Sequence, residues 1–174
     1  PSFSLLDLKS EEIQFSKGKS VEDSKLIYID SSSRVVEKAL SGNFAEKITL
    51  DSSYFNESPL IHVVDFSGNG VFEYVVSLAG KIANYGPDKK LGIFESFNFQ
   101  VDENLTILGE SEKYILVENN QLEEIFLFDS NLSNNDIFPV PGSLKSAIGD
   151  LNRDGLLELV TVYKGKIIAY TISP

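Results

Sequence analysis

The stretch Asp150-Leu151-Asn152-Arg153-Asp154-Gly155-Leu156-Leu157-Glu158 places oxygen-bearing side chains at alternating positions ahead of a glycine and closes on a carboxylate. That is the pattern of a calcium loop. Asp150, Asn152, Asp154 and Glu158 would supply positions 1, 3, 5 and 9, and the carbonyl of Leu156 would supply position 7. Gly155 permits the sharp turn that aims them at one point. The residues that follow, Leu159 to Val162, form an apolar run, and a Gly165-Lys166 pair separates them from a second run, Ile167 to Ile172. Loop, strand, tight turn and strand is therefore the local reading.

The same order occurs upstream. Asp65-Phe66-Ser67-Gly68-Asn69-Gly70-Val71-Phe72-Glu73 is a reduced copy of the loop, followed by the run Tyr74 to Val76 and the pair Gly80-Lys81. Its ligands would be Asp65, Ser67, Asn69, the carbonyl of Val71 and Glu73. With only two carboxylates it forms the weaker site. Further apolar runs at Leu26 to Ile29, Tyr114 to Val117 and Ile125 to Phe128 are rich in Val, Ile, Tyr or Phe and bounded by turn formers, so they too predict strands. The nearest approach to an amphipathic helix, Val35 to Leu40, is short.

Placing Lys25, Glu73, Lys113 and Glu158 at the starts of equivalent strands gives steps of 48, 40 and 45 residues. Four units of short antiparallel strands, averaging about 44 residues, predict an all-β chain of β-propeller blades forming part or all of a propeller. The approximate units are 10–50, 55–100, 105–142 and 143–174. A β-sandwich shares the strand spacing, but not the repeated loop-strand-Gly-Lys-strand order.

Across Ala147-Ile148-Gly149-Asp150 to Leu159-Val160, continuing into Lys164-Gly165-Lys166-Ile167-Ile168-Ala169-Tyr170, the chain closely resembles the FG-GAP repeat. This is the blade unit of integrin α-chain propellers and of many secreted bacterial proteins. The resemblance implies that the acidic loop joins the first two strands of a blade and holds calcium through Asp150, Asn152, Asp154, Leu156 and Glu158. The Asp65 copy departs from the repeat at Ser67 and Asn69. The absence of tryptophan disfavours WD-type blades, and Thr161 or Val76 at the twelfth position disfavours an EF-hand.

Composition narrows the function. The chain's 42% hydrophobic and 24% charged residues suit a globular domain, and its formal charge of −11 with no basic cluster argues against a nucleic-acid partner. No apolar run is long enough to span a membrane. Without cysteine there is no disulfide framework or thiol chemistry. A chain that opens on Pro1 and lacks methionine reads as a processed product or an excised piece. The single histidine, His62, has no recognisable nucleophile motif beside it and reads as a packed strand residue. Glu123-Glu124 and Asp102-Glu103 read as solvated strand ends, and Asp129 to Asp136 as a polar loop without the glycine turn. Tyr74, Phe126, Tyr163 and Tyr170 lie at strand spacing and read as inter-blade packing.

The expected function is a non-catalytic, calcium-binding module for protein–protein interaction or scaffolding in an exported protein, whether extracellular, cell-surface or periplasmic. The alternatives are a carbohydrate-binding propeller and the accessory propeller of a larger secreted hydrolase or lyase.

Overall fold

The computed structural model describes residues 14–16, 24–29, 34–39, 45–49, 59–66, 71–86, 91–101, 104–109 and 112–172. Its regular elements are all strands: β1 (Gln14–Ser16), β2 (Lys25–Ile29), β3 (Arg34–Ala39), β4 (Ala45–Thr49), β5 (Leu60–Val64), β6 (Glu73–Leu78), β7 (Lys81–Tyr85), β8 (Leu91–Ser96), β9 (Leu105–Leu108), β10 (Tyr114–Asn119), β11 (Glu124–Phe128), β12 (Val140–Pro141), β13 (Ser146–Gly149), β14 (Leu157–Tyr163) and β15 (Lys166–Ile172). No helix is long and apolar enough to cross a membrane among the described residues. The segment nearest to a helical pattern, Val35 to Leu40, falls largely within β3, where Val35 and Val36 pair with both neighbouring strands. Its β-branched pair favours the pleated arrangement.

The strands form four antiparallel sheets whose order follows the chain: β1 to β4, β5 to β8, β9 to β12 and the three-stranded β13 to β15. The expected all-β blade architecture is what the chain forms. The four repeat starts fall at or within one residue of the starts of β2, β6, β10 and β14, the second strand of each sheet.

The sheets are stacked through alternating side chains, because successive residues of a strand face opposite ways. In β6, Tyr74 and Val76 join Ile27 of the first sheet in one core, while Val75 turns to the third sheet with Ile82, Ile115 and Val117. In β10, Leu116 faces the fourth sheet and joins Leu159 and Ile172. Both faces of β6 and β10 are thus consumed, and each reads as a nearly continuous apolar run. Phe97, Phe99, Phe126 and Phe128 pack together between the second and third sheets, with ring centroids from 5.2 to 6.3 Å apart. Tyr74, Phe126 and Tyr170 therefore do pack between sheets. Tyr163 instead carries Lys164 over its ring at 4.8 Å.

Polar side chains tie the sheets at their margins. Asn84 donates from Nδ2 to the Ser130 carbonyl at 2.6 Å, and Glu118 accepts from the Leu144 amide at 3.0 Å. Thr161 accepts from the Ser143 amide at 3.0 Å and donates to the Ser143 carbonyl at 3.1 Å. Every backbone group in such a connection must find a partner, and these contacts also fix the distance between blades.

Candidate functional site

The stretch from Asp150 to Glu158 spans the connection between β13 and β14, the first two strands of the fourth sheet, and its last two residues open β14. Gly149 and Glu158 are paired across that sheet, so the ladder itself brings the ends of the loop together. Arg153 at φ +63° and Gly155 at φ +89° then reverse the chain between them. Two left-handed residues so close together turn successive N–H groups inward, making a concavity that suits oxygen ligands.

The acidic side chains fill that concavity. Asp150 accepts from the amides of Asp154 at 3.2 Å and Gly155 at 3.1 Å. Asn152 Oδ1 accepts from the Asp154 amide at 2.8 Å, and Asp154 Oδ1 accepts from Leu156 at 2.8 Å. Glu158, only 6% exposed, accepts from the Leu151 amide at 2.8 Å. Asn152 Nδ2 donates both to Asp154 Oδ2 at 2.8 Å and to Glu158 Oε1 at 3.3 Å. One carboxamide N–H₂ thus stands between two carboxylates.

This donor set fits calcium in kind. All its side-chain acceptors are oxygens, all three carboxylates are anchored by backbone amides, and Asn152 turns Oδ1 to the Asp154 amide and Nδ2 to the Asp154 and Glu158 carboxylates. Among the described residues no three His, Cys, Asp or Glu side chains stand close enough together to hold a metal ion.

The upstream copy occupies the corresponding connection, from β5 to β6. Asp65 follows β5, Val71 is exposed, and Glu73 opens β6; Ser67 and Asn69 lie outside the described residues. Burial, a hydrogen bond from Asn84 and the charge of Asp65 act together on Glu73. Desolvation dominates, Asp65 adds to it, Asn84 opposes, and the carboxyl is raised above its ordinary value of 4.5. Glu73 Oε2 is buried with no hydrogen-bond partner among the described residues. Asn84 is the residue that sequence reading missed here, because its pairing with Ser130 crosses 46 positions.

Asp129 to Asp136 is a polar loop, as expected. Asp129 Oδ1 accepts from the amides of Asn131 at 2.7 Å and Ser133 at 2.9 Å, while Leu132 at φ +53° turns into the core. His62 lies opposite Val75 in β5, and Glu123 and Glu124 sit at a turn and a strand start; Asp102 and Glu103 lie outside the described residues. Two cavities open on the same side of the stack as the acidic loops. One of about 430 Å³ lies between the third and fourth sheets, against Tyr114, Leu127, Asn134, Asn135 and Ile172. Another of about 200 Å³ lies between the second and third, against Phe66, Glu73, Tyr114 and Ser130. Tyr114 and Asp129 border both.

The fold has counterparts among solved structures. The chain matches a crystal structure of BBS1N in complex with ARL6DN soaked with mercury at a TM-score of 0.58 and 14% identity, over 93% of this chain and 54% of that one. It matches a second, soaked with lead, at 0.57 and 11%, over 93% and 46%. The chain has the fold of part of a β-propeller. It spans about half the length of the propellers it matches, and at these identities the likeness speaks for the fold alone. No family model and no curated protein matches the chain in sequence.

Proposed function

We propose that the chain is a non-catalytic propeller module of the FG-GAP type, stabilised by calcium and used for protein–protein interaction or scaffolding in an exported or cell-surface protein. The observation that carries this reading is the loop from Asp150 to Glu158. Its carboxylates and carboxamide hydrogen-bond to one another and to the loop's own amides at the junction of the first two strands of a blade.

Asp150, Asp154 and Glu158, the Asn152 carboxamide oxygen and the Leu156 carbonyl would hold the ion. The ion would neutralise charges that otherwise repel. With affinity in the range of about 10⁻⁴ to 10⁻³ M found for extracellular modules, such a loop fills in millimolar calcium and stays empty in the cytosol. That supports an exported setting. The partner is read as a protein because the loops on the sheet ends are free to vary while the stacked sheets hold them rigid, and because BBS1N, similar in fold, was crystallised in a complex with ARL6DN.

Thermal unfolding with calcium and with chelator tests the proposal. Mass action at several-fold excess over Kd is worth about 1 kcal/mol, a rise in midpoint of roughly 2–4 °C for a domain of this size. Asp154→Ala should lose it. No shift in the parent protein would defeat the calcium reading.

A carbohydrate-binding reading has one observation in its favour. The cavity between the third and fourth sheets sets Tyr114 beside the carboxamides of Asn134 and Asn135 and the carboxylates of Asp129 and Asp136, a combination suited to sugar hydroxyls. A glycan array run with Tyr114→Ala as the comparison decides it.

A further inference from the structure

We draw no further inference here: the strongest candidate, the cavity of about 200 Å³ between the second and third sheets with Glu73, Glu112 and Asp129 in its lining, is a cluster of carboxylates beside which no second feature among the described residues points to a ligand.

Discussion

Asn152 donates from Nδ2 to Asp154 Oδ2 at 2.8 Å, and the same nitrogen reaches Glu158 Oε1 at 3.3 Å. A neutral carboxamide is thus the bridge between two carboxylates. Replacing it by Asn152→Asp removes the donor and adds a like charge. Two such charges at 4 Å repel by up to about 4 kcal/mol at an effective dielectric near 20, and exposure of the loop reduces this to roughly 1 kcal/mol. The variant should melt earlier than the parent in chelator and gain more from calcium, as read by thermal unfolding in both conditions. Equal midpoints in chelator would show that the bridge contributes nothing.

Glu73 gives a pH signature of the upstream loop. Its carboxyl is raised above 4.5, chiefly by burial and then by Asp65. Between 4.5 and the raised value the folded protein holds more protons than the unfolded chain, so this group's stabilising contribution is present at low pH and is lost as pH rises through the folded value. Glu73→Gln keeps the shape and removes the charge. It should be more stable than the parent at neutral pH and lack that part of the decline, as measured by urea unfolding across pH 4 to 7 without calcium. A parallel pair of profiles would count against the assignment.

Gly80 is fixed by its surroundings. A Cβ there would stand 2.5 Å from the Phe97 carbonyl oxygen and 3.0 Å from that of Phe99, both backbone atoms, and the Phe97 amide donates to Gly80 O at 2.6 Å. Backbone cannot swing aside as a side-chain tip does. Gly80→Ala should cost about 2–4 kcal/mol in urea denaturation. A loss below the error of the fit would show that the β7 to β8 margin relaxes freely.

Thr161, fully buried, both accepts from and donates to the backbone of Ser143, linking β14 to the strap that enters the fourth sheet. Thr161→Val is nearly isosteric but strands both backbone groups, at a cost of about 2 kcal/mol. Thr161→Ser should recover most of it. The two variants together separate the hydroxyl's contribution from that of the methyl.

Much of this was legible in the sequence. Six apolar runs gave strands, because period-two alternation and turn residues act locally, and each run lies within an observed strand. The Val35 to Leu40 segment was ambiguous for the same reason. A short run of mixed apolar and charged residues fits either period, and only the pairing of β3 with β2 and β4 decides it. The loop residues of the fourth unit were readable from Gly155 and the spacing of the oxygens. Asn84 with Ser130, and Thr161 with Ser143, carried no local signal, since each pair meets only when strands distant in sequence are stacked.

By itself the sequence determined which segments become strands, where the chain turns, and which oxygens the Asp150 loop can offer, since these depend on local sterics and side-chain chemistry. The tertiary structure alone decided which face of each strand is buried against which neighbour, that Glu73 is held in a desolvated place beside Asp65, and that Ile167 is exposed where its counterpart Ile82 is buried. Burial and desolvation are properties of an environment assembled from distant parts of the chain, so two residues in equivalent positions of a repeat can differ completely in energy.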